Sequence, residues 1–302
     1  MRHLDNIDLR LLRIFVTLAE AGSFSAAQIV LNLSQSTLST HIAALERFLG
    51  HSLCLRGRRG FRLTAFGEAT LVAARQLFGD IDAFRTRVGR AGSQLLGRVN
   101  LGIVDGVASS AALGLQGPLQ RFLSRTGEVY IDLRLGTPLQ LEQWVAEGQR
   151  DVVIGPMSQK GPGVIYVPLH REANTLYCGS QHALFHVKNP TIEEIEATRF
   201  SVRSYRHLED LHRVNHPRAG ASVLQMEAQT MLVLSGHFVG FLPRHIGDDY
   251  AQRGLMRALQ PAKYQFMSQH FVAYRRADKD QPLVKLLVQE LRKQQSVEGK
   301  PV

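Results

Sequence analysis

Residues 23–49, SFSAAQIVLNLSQSTLSTHIAALERFL, leave few folds open to this chain. Ser23 suits an N-cap, since its hydroxyl can accept a free backbone N–H of a first turn. Ala26, Ala27, Val30 and Leu31 then make the inward face of a short helix. Asn32 tolerates the left-handed backbone of a sharp turn. Ser34 is the next N-cap, opening a helix that runs to Leu49, and Gly50 is its expected stop. Leu38, Ile42, Leu45 and Leu49 recur at steps of four, three and four, which is one apolar helical stripe. On a wheel of ~100° per residue, Ser36, Thr40, Ala43 and Arg47 lie opposite that stripe, with Gln35 and Ser39 beside it. Two short helices and a tight turn, with a face of Ser, Thr, Ala and Arg and no carboxylate, suit base edges and phosphates in a major groove. The plain alternative is a solvated face in an ordinary bundle.

The flanking sequence favours the first reading. In CLRGRRGFRLT (54–64), Leu53 and Leu55 read as one strand, Phe61 and Leu63 as its partner, and Gly57 and Gly60 bracket the turn. Arg56, Arg58, Arg59 and Arg62 crowd this hairpin without an acid, a composition that docks phosphates or enters a minor groove. Upstream, a helix from about Leu9 to Ala21 buries Leu12, Phe15, Val16 and Ala19 and is stopped by Gly22. Thr64 opens a long helix, Ala65 to about Gly92, with Leu77, Ile81, Phe84 and Val88 on one stripe. Such a helix pairs with a second copy in a short coiled coil, or lies on its own domain. Glycines 89, 92 and 97 read as a hinge.

Beyond Gly97 the period changes. Val99, Leu101 and Ile103 alternate as a strand, a helix follows over roughly Ala112 to Ser124 with Leu119, Phe122 and Leu123 inward, and Val129, Ile131, Leu133 and Leu135 alternate again. A helix over Leu139 to Glu147 has Trp144 as anchor, and DVVI (151–154) is a buried strand. Alternation of strand and helix reads as a doubly wound α/β sheet. The pattern restarts with strand candidates 164–169, 175–180 and 200–202, a helix near Met226–Leu234, strands 238–242 and 265–274, and a closing helix 282–294. Two α/β lobes that share crossing strands enclose a cleft suited to a small molecule.

At 302 residues the chain accommodates two or three domains. Its net charge of +10, with 29 arginines against 7 lysines, agrees with a polyanionic partner. Cys54 and Cys178 sit far apart in apolar runs and read as buried free thiols. Asp5, Asp8, Arg10 and Arg13 stand where a secretory leader needs an apolar core, and no apolar run nears the ~20 residues of a membrane span. The expectation is a soluble cytoplasmic protein. His182/His186 and His212/His216 have helical metal-ligand spacing, but neither carries the glutamate of H-E-x-x-H and His216 precedes a proline. They read as solvated or capping histidines. With no G-x-S-x-G elbow and no phosphate-binding glycine motif, the expectation is no enzyme, no cofactor and no metal.

Over nearly its whole length the chain resembles the LysR-type transcriptional regulators. The resemblance rests on LRLLRIFVTLAEAGSFSAAQ (9–28), LSQSTLSTHIAALERFLG (33–50) and LCLRGRRGFRLTAFGE (53–68), and more loosely on 133–156 and on LSGHFVGFLP (234–243). It implies a winged helix-turn-helix (1–64), a dimerising linker helix (65–92) and a two-lobed, periplasmic-binding-protein-like α/β effector domain (97–302). Lobe I would be about 97–167 with 270–302, and lobe II about 168–269. The implied partners are double-stranded DNA, a small-molecule effector, further copies in a dimer or tetramer, and RNA polymerase, with no membrane. Carried over by position, DNA contacts come from Gln35, Ser36, Thr37, Ser39, Thr40 and His41, with Arg56 in the wing; the helix start, the outward face and the basic hairpin read above add Ser34, Arg47, Arg58 and Arg59. Where members often have proline or alanine, this chain has Ser36 and Thr37.

For the effector, members place Ser or Thr near Asp105 and Gly106, in a loop that here reads DGVASS. Asp105 either binds a cation or amine or caps the following helix, Val107 shares its loop, and Ser109 and Ser110 are donors at a helix start. Ser158, after the 151–154 strand, and Ser201, Arg203 and Thr230 across the cleft complete the candidates. Arg203 either clamps a carboxylate or makes a surface salt bridge. Two other functions remain open at this point: a solute-binding or enzymatic protein with an accessory DNA module, and a DNA-coating protein without a ligand.

Overall fold

The computed structural model describes residues 6–55, 61–89, 95, 97–215 and 218–298. It resolves into two compact units, 1–85 and 86–302. Arg56, Arg58, Arg59, Gly92 and His216 lie outside the described residues.

In the first unit, α1 (Asn6–Ala21), α2 (Phe24–Leu31) and α3 (Gln35–Leu49) surround a core of Leu11, Leu12, Ile14, Phe15, Leu18, Ala27, Leu38, Ile42 and Leu45. Ser23 caps α2 by accepting the Ala26 amide at 3.1 Å, Asn32 holds the turn at φ 50°, and Ser34 caps α3 by accepting the Thr37 amide at 3.2 Å. Two expectations fail. Val30 is 68% exposed, because α2 is so short that only Ala27 is fully covered. On α1 the deepest side chains are Phe15 and Leu18, while Ala19 is half-buried. The wing strands β1 (Cys54–Leu55) and β2 (Arg62–Leu63) pair antiparallel. Thr64 caps α4 (Ala65–Gly89) by accepting the Gly67 amide at 2.9 Å. A Cβ on Gly67 would lie 2.0 Å from the Leu53 carbonyl oxygen, so only glycine lets α4 lie this close to the wing's backbone. On α4 Leu77 packs on the first unit's core and Phe84 is exposed; the side chain of Val88 is outside the described residues.

The second unit carries a mixed sheet. Its strands are β3 (Gly97–Ile103), β4 (Val129–Leu135), β5 (Val152–Pro156), β6 (Val164–Gly179), β7 (Phe200–Arg203), β8 (Ala221–Val223), β9 (Val239–Pro243), β10 (Met256–Ala258) and β11 (Gln265–Arg275). The order is β4-β3-β5-β11-β6-β9-β7-β8, with β10 on β6. The helices are α5 (Gln116–Ser124), α6 (Pro138–Ala146), α7 (Ile192–Glu196), α8 (His207–Arg213), α9 (Met226–Leu234), α10 (Arg244–Gln252) and α11 (Pro282–Glu298). One core gathers β3, β5, α6 and α11 around Leu101, Phe122, Leu141, Val272 and Leu287; another gathers β7 and β9 around Leu176, Phe200, Val239 and Phe241.

Strands β6 and β11 serve both cores. They pair antiparallel from Val164↔Arg275 to Thr175↔Gln265, with a register shift at His270/Phe271. This corrects the reading of 164–169 and 175–180 as separate strands: polar His170–Asn174 breaks the apolar alternation at the crossing, yet its backbone stays in the ladder. Other expectations move as well. The fifth helix begins at Gln116, after a turn in which Ser110 accepts the Leu113 amide at 3.2 Å. Leu123 is 45% exposed, and Trp144 is half-buried beside the fully buried Leu141 and Val145. On the edge strand β4, Leu133 and Leu135 are exposed. Helices α7, α8 and α10 went unread. Cys54 and Cys178 are buried free thiols. Among the described residues no helix is long and apolar enough to cross a membrane.

Candidate DNA-reading face and ligand cleft

The α3 surface follows from its cap and its stripe. Leu38, Ile42 and Leu45 are fully buried, which turns Gln35, Ser36, Thr40, Ala43 and Arg47 outward. Thr37, Ser39 and His41 are half-buried at the margins, and Ser34 is exposed at the helix start. The Thr40 hydroxyl donates to the Ser36 carbonyl at 2.9 Å and keeps its acceptor capacity on an exposed residue, which suits a base amine. Arg47 Nε donates to the Ala43 carbonyl at 3.3 Å. The one carboxylate of α3, Glu46, is spent inward. Its Oε1 accepts the Leu53 amide at 2.7 Å and the Cys54 amide at 3.4 Å, so it joins α3 to the wing.

The second unit has a cavity of about 520 Å³. One wall is the loop after β3, with Asp105, Gly106 and Ser109, and the end of β4, Leu135. The other is the first turns of α9, with Gln225, Met226, Glu227 and Thr230, and one face of α10, with His245, Ile246, Asp249 and Tyr250. The walls are fastened twice. The Asp105 carboxylate accepts the Met226 backbone N–H in a short hydrogen bond, and the Gly106 carbonyl accepts from His245 Nε2 at 2.9 Å. Gly106 sits at φ +73°, and a Cβ there would press on Met226 and Ile246.

Behind His245 lies a buried polar knot at the β6/β11 crossing. His245 Nδ1 is 3.4 Å from Glu172 Oε1, and His270 Nε2 is 3.7 Å from Glu172 Oε2. Burial lifts the Glu172 carboxyl to about 7 against the pull of the Arg203 guanidinium, and burial drops the His270 ring to about 4. Arg203 itself is buried, 3.7 Å from Asp210, within the same knot.

Two family models match this chain. The one described as "Bacterial regulatory helix-turn-helix protein, lysR family" covers residues 9–68, and "LysR substrate binding domain" covers 92–296. The chain belongs to the LysR family of transcriptional regulators. The Pseudomonas aeruginosa "HTH-type transcriptional activator BauR" is 34% identical over 264 residues, spanning 86% of this chain and 87% of that one. The fold is also that of two solved structures. CbnR, "a LysR family transcriptional regulator", superposes with a TM-score of 0.65 at 19% identity, over 95% of this chain and 98% of that one. Full-length CbnR "complexed with the target DNA complex" gives 0.64 at 20%, over 95% and 99%. LysR-family members bind DNA and respond to small-molecule effectors, and this chain is a regulator of that kind rather than an enzyme.

Measured against this LysR-type architecture, the sequence-derived residues separate. Asp105, Gly106, Ser109 and Thr230 line the cavity. Val107 is buried in the neighbouring apolar core. The Ser158 amide, with those of Gln159 and Lys160, donates to the buried Glu142 carboxylate, away from the cavity lining. Ser201 is buried, its hydroxyl donating to the Val239 carbonyl at 3.3 Å. Arg203 is neither a surface salt bridge nor on the lining, since it ends in the knot. Asp105 caps a helix, but it is α9 from the opposite wall and not the helix that follows it. His182 accepts the Leu184 amide on Nδ1 at 3.1 Å within a turn, so it braces the backbone after β6 and caps no helix.

Sequence reading missed Glu227, His245, Asp249 and Tyr250. On α10 the signal was hidden because the buried side of this helix is Gly247, laid on the Tyr177 ring, where a Cβ would come within 2.2 Å. Ile246 and Tyr250, four apart after Pro243, were the remaining trace.

Proposed function

We propose that the regulator reads operator DNA with Gln35, Ser36, Thr40 and Arg47, supported by Ser34, Thr37, Ser39 and His41 and by wing arginines 56, 58 and 59. In this reading residues 1–64 are the DNA-binding domain, α4 is the linker through which copies pair into a dimer or tetramer, and 97–302 is the effector domain. Lobe I is about 97–167 with 270–302, and lobe II about 168–269. The observation that carries the DNA reading is the exposed, acid-free face of α3 opposite three fully buried side chains. The CbnR–DNA complex supports it by likeness of fold.

The effector site is the 520 Å³ cavity. A ligand that prefers one arrangement of its walls biases the lobes, and through the paired linkers it alters the spacing of two reading helices, promoter bending and contact with RNA polymerase. The setting is the cytoplasm. Footprinting of the intergenic region beside the gene, with and without candidate metabolites, tests this. The expected result is protection of a dyad whose extent one metabolite changes. Absence of dyad preference over random duplex at two salt concentrations removes the reading.

A further inference from the structure

The effector cavity is one-sided in charge. The chain carries +10, yet Asp105, Glu227 and Asp249 line the cavity and no lysine or arginine does. Glu227 has no ion-pair partner among the described residues. Asp249 meets only the exposed Arg253, at 3.4 Å. A helix N-terminus normally welcomes an anionic ligand, but here the chain's own Asp105 carboxylate already occupies the start of α9 by accepting the Met226 amide. An incoming carboxylate would find that position filled and three carboxylates around it, of which only Asp249 has a basic partner among the described residues, Arg253. Dipole complementarity of α9 accounts for Asp105 and Glu227 but not for Asp249, which lies in the second half of α10. Ser109, Gln225 and Thr230 add neutral polar groups, His245 is tied to the Gly106 carbonyl at 2.9 Å, and the Tyr250 ring already carries the chain's own Arg253 guanidinium 4.9 Å from its centroid, so the two carboxylates without a basic partner among the described residues, Asp105 and Glu227, are what suits the cavity to an ammonium group on a short carbon chain.

We propose that the effector is a small molecule bearing a protonated amine, whose ammonium is held by Asp105, Glu227 and Asp249. This rests on the cavity being the effector site. The test uses the full-length protein at low salt and two pairs of probes matched in size, n-butylamine against 1-butanol and 4-aminobutyrate against butyrate, measured by calorimetry. The variants are Glu227→Gln with Asp249→Asn, both exposed, and Asp105→Asn, which keeps an oxygen for the Met226 amide.

The amine of each pair is expected to bind about tenfold tighter than its partner, in line with two or three partly exposed charge contacts. The variants are expected to remove most of that preference, and thermal melting confirms that they fold. Amine-free probes binding as well as amines, with affinity lost in a Thr230→Trp variant that fills the cavity, overturn the ammonium inference and leave the cavity reading standing. Amines that bind equally well to Thr230→Trp and to the carboxylate variants overturn the cavity reading itself. No measurable binding by either amine overturns the inference.

Discussion

Asp105 and Met226 stand 121 positions apart in sequence, and a single hydrogen bond from the Met226 amide to the Asp105 carboxylate joins them across the cleft. It gives α9, whose N-cap Gln225 supplies no side-chain bond of its own, a borrowed cap. Asp105→Ala is expected to lower stability by about 1 kcal/mol, the usual cost of a lost cap, and Asp105→Asn by much less. Differential scanning calorimetry of the two variants checks the order. Equal melting temperatures would mean that the bond holds nothing.

Gly67→Ala sets two effects against each other. Alanine in a helix gains up to about 1 kcal/mol over glycine. A Cβ at 2.0 Å from the Leu53 carbonyl forces backbone apart, and overpacking of this kind costs about 1–3 kcal/mol. The clash should win, because the obstacle is main chain and Leu53 is also pinned by Glu46 at 2.7 Å. Expected are a lower melting temperature and weaker operator binding in a gel-shift titration.

Glu172 and His270 give opposite pH signatures. Burial raises the Glu172 carboxyl from 4.5 to about 7, so folding takes up a proton between those values and stability falls as pH rises through them. Burial lowers the His270 ring from 6.5 to about 4, with His170, His245 and Arg203 adding to the effect and a backbone bond at Ser268 opposing it. Folding there releases a proton, and stability rises with pH across that window. Each slope is about 1.4 kcal/mol per pH unit, and the two offset one another where the windows overlap. Glu172→Gln should leave stability rising with pH toward neutrality, and His270→Gln should leave it falling. Urea unfolding followed across this range reads both signs.

On the α3 face, Arg47→Ala should weaken binding to all duplexes alike and reduce the salt slope by about one. Thr40→Ala should relax preference at one base position by about 1 kcal/mol and leave the salt slope alone. Competition titrations at several salt concentrations, with operator and random DNA, separate the two behaviours.

The parts of this protein that sequence revealed are those whose side chains state their own surroundings. Ser23, Asn32, Ser34 and Gly50 mark helix ends through local chemistry, and Leu38, Ile42 and Leu45 mark an inward face by spacing. The parts that stayed hidden depend on a partner distant in sequence. Gly247 makes α10 a packed helix only because Tyr177 lies beneath it. His170–Asn174 reads as a loop until β11 is laid alongside. Arg203 invited a ligand role because an arginine at a strand end is ambiguous, and Asp210 and Tyr205 absorb it inside the fold. The cleft was half legible for the same reason. Its β3 wall follows a clean strand and α9 was legible as Met226–Leu234 with Thr230, while the α10 part of the opposite wall needs the tertiary structure to be seen.

The twin passage of β6 and β11 between the two cores has a mechanical consequence. Strands bonded rung by rung resist stretching and shearing, and the slip in pairing at His270/Phe271 marks their softest point. The halves of this domain therefore hang on a torsion bar. A molecule seated between them is expected to turn one half against the other about that bar, and the signal it passes onward would be an angle.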